Sequence, residues 1–99
     1  MAKHPDESPD DDLTRLRRLF LFDAVCEAGG IGQAATRAGR TQPAVSLAIS
    51  KLEASFGGVL FERGFGGCEL TAQGAILQRR VRRMLDQMER AVMGLTGQN

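Results

Sequence analysis

The stretch RTQPAVSLAISK, from Arg40 to Lys51, holds the side chains best suited to recognising a ligand. The carboxamide of Gln42 can hydrogen-bond to a base edge, and adenine is its best bidentate partner. Ala44 is small enough to contact a thymine methyl group, and Lys51 can contact a phosphate or a base edge. These residue types indicate binding to a polyanion that presents base edges.

Catalytic chemistry has no comparable set of residues. The one histidine, His4, lies in a polar tail, and the two cysteines, Cys26 and Cys68, form no Cys-x-x-Cys pair. Both are interpreted as buried thiols, with partial exposure as the alternative for Cys68. No nucleophile has a paired base, and the glycines at 57–58 and 64–67 lack the lysine and hydroxyl of a phosphate-binding loop. The sequence therefore predicts no enzyme, no metal and no cofactor.

The charge is divided unevenly along the chain. Residues 1–12 hold Lys3 and five acidic residues, and they are predicted to form a disordered acidic leader. Removing them from the total of 13 basic and 12 acidic residues leaves 12 basic and 7 acidic residues, a net charge of +5. A basic body favours nucleic acid, although a solvated basic surface is the alternative. No apolar run is long enough for a membrane and no signal peptide is recognisable, so we expect a cytoplasmic protein.

Three helices must position the Arg40–Lys51 stretch. An apolar stripe begins after Leu13, and Gly29-Gly30 ends that helix. Phe20 and Leu21 fall outside the stripe, so they are predicted to bury a second face against a partner. A short helix is predicted over residues 31–38, ended by Gly39, and a third begins after the N-cap Thr41 and runs to about residue 56.

The remaining residues predict a two-stranded wing and a long helix. The segments VLFER and CEL flank the turn GFGG. Thr71 caps a last helix whose apolar stripe is nearly a heptad seam. Since little of its own chain is left to cover that seam, a second chain is expected to do so. The seam consists of Leu77, Val81, Met84, Leu85, Met88, Val92 and Leu95.

This order of elements fits a helix-turn-helix followed by a wing. In that motif the second helix enters the DNA major groove while the first braces it. The N-terminus of the presented helix, at Thr41, Gln42 and Pro43, favours a phosphate. Its outward face is predicted to continue through Ala44, Ser46, Leu47, Ser50 and Lys51.

A set of motifs resembles the DNA-binding domain of LysR-type transcriptional regulators. The motifs are Leu19-x-x-Phe22-x-x-Val25, Glu27-Ala28-Gly29, Ala34-Ala35, TQPAVSLAISKLE and GGVLFERGFGGCELTAQG. The resemblance implies a mainly α winged helix-turn-helix over residues 13–70 and a linker helix over 71–95 that pairs two subunits, with a tail at 96–99. It also implies a homodimer on a roughly palindromic operator, tetramers in full-length chains, and an effector-binding domain that is absent here.

The chain departs from the family's pattern in the recognition helix. In the family, arginine and glutamine are frequent at the positions of Leu47 and Ala48. Recognition of the bases is therefore expected to depend on Gln42, Ala44, Ser46 and a contact between Leu47 and a thymine methyl group. Arg40 lies beside the start of the helix and is a predicted phosphate contact. Arg63 matches the family's motif and is a predicted phosphate or minor-groove contact. The predicted DNA-binding set is Arg40, Thr41, Gln42, Pro43, Ala44, Ser46, Leu47, Ser50, Lys51 and Arg63.

Several alternatives stay open on the sequence alone. A winged helix that no longer reads bases would serve as an oligomerising protein-interaction module. Glu53 and Glu62 are expected in an internal ion pair or at a solvated surface, and Phe65 at the wing tip fits either a wedge against DNA or a packing role. The arginines at 79, 80, 82 and 83 are interpreted as a solvated helix face.

Overall fold

Four helices and a two-stranded sheet make up the part of the chain that the computed structural model describes, residues 11–64 and 67–95. The helices are α1 (Asp12–Ala28), α2 (Ile31–Ala38), α3 (Gln42–Phe56) and α4 (Ala72–Leu95), and the strands are β1 (Phe61–Gly64) and β2 (Gly67–Leu70). The predicted winged helix-turn-helix followed by a long helix is confirmed. Within the described residues, no helix is long and apolar enough to cross a bilayer.

Helix α1 begins at Asp12, the last residue of the predicted leader, and its N-cap is Asp11. The carboxylate of Asp11 accepts a hydrogen bond from the backbone N–H of Thr14 at 2.8 Å, which lowers the pKa of this N-cap carboxyl. Asp12 forms the first turn, where an acidic side chain complements the helix dipole. The remaining leader, residues 1–10, and the tail, residues 96–99, lie outside the described residues.

The core forms where α1, α2 and α3 meet the start of the wing. Its largest fully buried side chains are Phe22, Leu60, Val25 and Val45. The rings of Phe22 and Phe61 lie 5.3 Å apart at 46°, a tilted aromatic contact that joins α1 to β1. These five side chains form the centre of the core.

Strand β1 is shorter than predicted because the backbone before it has other partners. The carboxylate of Glu53 accepts hydrogen bonds from the N–H groups of Leu60 at 2.9 Å and Phe61 at 3.5 Å. Glu53 is therefore not simply solvated, because its carboxylate accepts two backbone hydrogen bonds that the sequence does not predict. It ties the last turns of α3 to the wing, since buried N–H groups need an acceptor.

The wing itself is antiparallel, with Glu62 opposite Glu69 and Arg63 opposite Cys68. Thr71 connects it to α4: its hydroxyl donates to the carbonyl of Val59 at 2.7 Å and accepts from the N–H of Gly74 at 3.0 Å. The predicted N-cap of α4 is confirmed. The wing-tip residue Phe65 lies outside the described residues.

Helix α4 covers the core with the first half of its predicted seam. Val81 is 2% exposed, and Leu77, Met84 and Leu85 pack against the same core. Arg82 bridges to α1, with its guanidinium 3.1 Å from the Asp23 carboxylate and 3.9 Å from that of Glu27. The chain therefore buries Val81 itself and covers the other three side chains in part. Val81 leaves the predicted dimer surface, and Arg82 is no simple solvated arginine.

We predict that Glu53→Ala lowers the free energy of unfolding by about 1–3 kcal/mol, because it strands two backbone N–H groups without an acceptor. Urea denaturation measures this loss. Glu62→Ala is the matched control: its carboxylate is exposed on β1, so the change should stay within about 0.5 kcal/mol. Equal losses for the two variants would contradict the role given to Glu53.

Candidate nucleic-acid interface

The turn between α2 and α3 is held by backbone and side-chain hydrogen bonds. Gly39 adopts a left-handed conformation with φ of 67°, which glycine tolerates without strain. Its neighbour Arg40 donates its N–H to the carbonyl of Ala35 at 2.9 Å. Thr41 then caps α3, with its hydroxyl accepting from the N–H of Ala44 at 3.2 Å. The turn thereby fixes where α3 begins relative to α2.

One face of α3 is buried and the opposite face is free. Val45, Ala48, Ile49 and Leu52 are buried at spacings of three, one and three residues, which places them on one side of the helix. The opposite side at 3.6 residues per turn is centred on positions 43, 47, 50 and 54, and all four are exposed. Burial of the inner face therefore presents this outer face to solvent.

The structure places nearly every predicted DNA-contact residue on this outer face or at its start. Nine of the ten side chains are described; eight are exposed and Ser46 is half-buried. The side chain of Arg63 lies outside the described part, although its backbone belongs to β1. The exposed ones are Arg40, Thr41, Gln42, Pro43, Ala44, Leu47, Ser50 and Lys51.

Position 48 differs from its sequence interpretation. Ala48 is only 9% exposed and belongs to the buried face of α3. The sequence predicts that position 48 faces the bases but has no side chain that can recognise them. The structure shows instead that this alanine packs inward, because it lies three residues from Val45 and four from Leu52 on the same side. Only the replacement at Leu47 alters the outer face.

The start of α3 lies against the start of α2. Ile31, Gln42, Pro43 and Ser46 line a shallow surface depression there. A Cβ placed on Gly32 would lie 3.8 Å from the side-chain oxygen of Gln42, so the carboxamide rests over this glycine. The sequence does not predict this neighbour, since nothing local marks Gly32 as facing another helix.

Charge around the outer face is positive, and acidic side chains lie elsewhere. Arg37, Arg40 and Lys51 are exposed on α2, the turn and α3, and the first turn of α3 contains no acidic residue. In the wing, the exposed Glu62 and Glu69 stand opposite one another. Phosphates are therefore attracted to the helix-turn-helix and repelled from the face of the wing that carries Glu62 and Glu69.

Cys26, the thiol nearest to a charged cluster, is unsuited to nucleophilic chemistry. Burial, followed by the negative charges of Asp23 and Glu27, raises its pKa to about 12, so it stays protonated near neutral pH. Both cysteines are half-buried and free. Across residues 11–64 and 67–95, no three metal-ligating side chains come together.

The second half of the predicted seam remains uncovered. Met88 and Val92 on α4 are 48% and 54% exposed, and Phe20 on α1 is 38% exposed. Leu21 packs partly against the core, and the side chain of Leu95 lies outside the described part. The described part of the chain thus leaves the apolar side chains of Met88, Val92 and Phe20 exposed to solvent.

The family predicted from the sequence motifs is confirmed by comparison with known proteins. Residues 16–75 match the family model for bacterial regulatory helix-turn-helix proteins of the lysR family. The regulator TfdT of Cupriavidus pinatubonensis is 42% identical over 76 residues, which cover 77% of this chain and 33% of TfdT. The regulator ClcR of Pseudomonas putida is 46% identical over 69 residues, which cover 70% of this chain and 24% of ClcR. The chain thus spans a third or less of these curated relatives.

Solved structures agree with the fold. The DNA-binding domain of CbnR in complex with DNA superposes with a TM-score of 0.74 at 38% identity, covering 83% of this chain and 94% of that one. The DNA-binding domain of BenM with its catB site 1 DNA gives a TM-score of 0.77 at 30% identity, covering 82% and 91%. By its motifs, its helix-turn-helix and wing, and these matches, the chain belongs to the lysR family of bacterial regulatory helix-turn-helix proteins.

Proposed function

We propose that this chain is the DNA-binding part of a sequence-specific transcriptional regulator, and that it inserts the outer face of α3 into the major groove. The observation that carries this proposal is the division of α3 into a buried face and an exposed face that contains Gln42, Leu47 and Lys51. The same fold occurs bound to DNA in the CbnR and BenM complexes. These complexes do not favour the alternative of a module that only binds proteins.

The role proposed for each side chain follows from its position on α3 or beside it. Arg40 and Lys51 lie at opposite ends of the outer face, where they would contact phosphates and set the register on the duplex. At the N-terminus of α3, Pro43 has no N–H and the N–H of Ala44 is bonded to Thr41, which leaves the N–H of Gln42 for a further phosphate. Between these anchors, Gln42 and Ser46 would hydrogen-bond to base edges. The proposed DNA-binding set is completed by residues that would contact bases or phosphates: Pro43, Ala44, Leu47, Ser50 and Arg63.

The working unit in this proposal is a homodimer. Phe20, Met88 and Val92 form the exposed apolar surface, which a second copy would cover together with Leu21, Met84 and the other partly buried seam residues. Two copies of α3 would then enter successive major grooves of a roughly palindromic site. Higher assembly and effector sensing would belong to a full-length chain, and the protein would act in the cytoplasm.

Selection from a randomised DNA pool, followed by fluorescence anisotropy across a salt series, tests the proposal. We expect the selected duplex to bind more tightly than a scrambled duplex, with affinity that falls steeply as salt rises because phosphate contacts release counterions. Failure to enrich any sequence, or equal affinity for the two duplexes, would overturn sequence-specific binding.

We predict that Gln42→Ala reduces sequence specificity, whereas Lys51→Ala reduces affinity for every sequence. Gln42→Ala should cost about 1–3 kcal/mol on the selected duplex and much less on the scrambled one, because it removes a base contact. Lys51→Ala should weaken both duplexes about equally and reduce the salt slope by about one. Anisotropy titrations of the two variants, each serving as control for the other, measure these ratios. An unchanged ratio for Gln42→Ala would contradict its reading role.

We predict that Val92→Glu separates the dimer into monomers, because it places a charge in the apolar surface that the partner covers. Light scattering measures the mass. Val59→Glu is the matched control, since Val59 is 55% exposed, close to the 54% of Val92, but lies between α3 and the wing. A wild-type chain that is already monomeric, or a Val92→Glu chain that remains dimeric, would contradict this interface.

A further inference from the structure

The middle of the outer face of α3 is apolar. Leu47 is 57% exposed, and it lies three and four residues from Ala44 and Pro43, so these side chains are neighbours on the helix surface. Ala54 continues the strip towards the C-terminal end, and all four positions are exposed. We name Pro43, Ala44, Leu47 and Ala54 the apolar strip.

Polar groups flank Pro43, Ala44 and Leu47, and Ser50 separates these three residues from Ala54. Gln42, Ser46 and Ser50 form a row at four-residue spacing on the side nearer α2, where Gln42 and Ser46 share a depression with Ile31. Lys51 lies on the other flank. Leu47 thus stands between a hydrogen-bonding row and a cation, at the place where α3 would approach the floor of the groove most closely.

A polar group would not be a favourable partner for Leu47 in that position. A phosphate or an unpaired donor pressed against leucine would lose water without gaining a hydrogen bond, which costs free energy. On the major-groove edges of the four base pairs, the apolar group is the C5-methyl group of thymine. Cytosine methylated at C5 presents a methyl group at the equivalent place on its ring.

Resting on the proposed function, we propose that the apolar strip makes this chain a reader of C5-methylated pyrimidines, with Leu47 as the specificity-determining residue. Leu47 buries the methyl group, while Ala44 and Pro43 leave room for the base to approach. Binding therefore depends on the methyl group itself and not only on the hydrogen-bonding edge of the A·T pair. Methylation of a cytosine at the same position would strengthen binding.

Replacing single thymines by deoxyuridine in the selected duplex tests this inference, because uracil keeps every hydrogen-bonding group of thymine and lacks only the methyl group. At one or more positions in each half-site we expect affinity to fall about fourfold, the loss expected for one methyl-sized apolar group. At such a position, a 5-methylcytosine–guanine pair should bind about fourfold more tightly than an unmethylated cytosine–guanine pair.

Variants assign the effect to Leu47. Leu47→Ala should bind the thymine and uracil duplexes equally at that position, whereas Leu47→Met, which keeps a long apolar side chain, should retain most of the difference. Val59→Ala, an equally exposed residue outside α3, should keep the full difference. Thermal melts check that the variants fold, which the exposure of Leu47 leads us to expect.

The outcomes separate the two proposals. A chain that discriminates selected from scrambled DNA but binds uracil and thymine duplexes equally overturns this inference alone. Uracil sensitivity that survives in Leu47→Ala overturns the assignment to Leu47. A chain that binds selected and scrambled duplexes equally overturns the proposed function and this inference with it.

Discussion

The inner face of α3 has to share one small core with Phe22 of α1 and Leu60 beside the wing. In a domain of this size that core supplies most of the favourable free energy, so the rotation of α3 about its axis has little freedom. Turning the helix by one residue would expose Val45 or Ile49 to water. The same packing that stabilises the domain therefore decides which side chains face outwards.

Two contacts at the end of α3 extend this constraint to the rest of the chain. Glu53 accepts from the backbone N–H groups of Leu60 and Phe61 at the start of β1, and a Cβ on Gly74 would overlap the carbonyl oxygen of Leu60. The wing is therefore tied to the last turns of α3, and α4 packs against the segment that joins α3 to the wing. Arg82 then links α4 back to Asp23 of α1. The outer face of α3 and the proposed dimer surface therefore belong to one connected body, as the proposed dimer requires for two helices held at a fixed separation.

Local signals made most of the fold predictable. The sequence alone identifies Thr41 as a cap, Gly39 as a helix end and the 3.6-residue spacing of apolar side chains. These signals located α2, α3 and the outer face correctly. Contacts between segments that are distant in the sequence could not be predicted from it. The burial of Val81 and Ala48, the backbone role of Glu53 and the pairing of Arg82 each depend on which element lies alongside, and a single sequence does not record that.

Occupation of the major groove by the outer face of α3 can be measured by chemical probing of a selected duplex. Dimethyl sulfate methylates guanine N7 in the major groove and adenine N3 in the minor groove. We expect the bound chain to protect guanine N7 in two patches separated by one helical turn or a multiple of it, one patch for each subunit. Protection confined to adenine N3, or no protection of guanine N7 within the bound site, would contradict it.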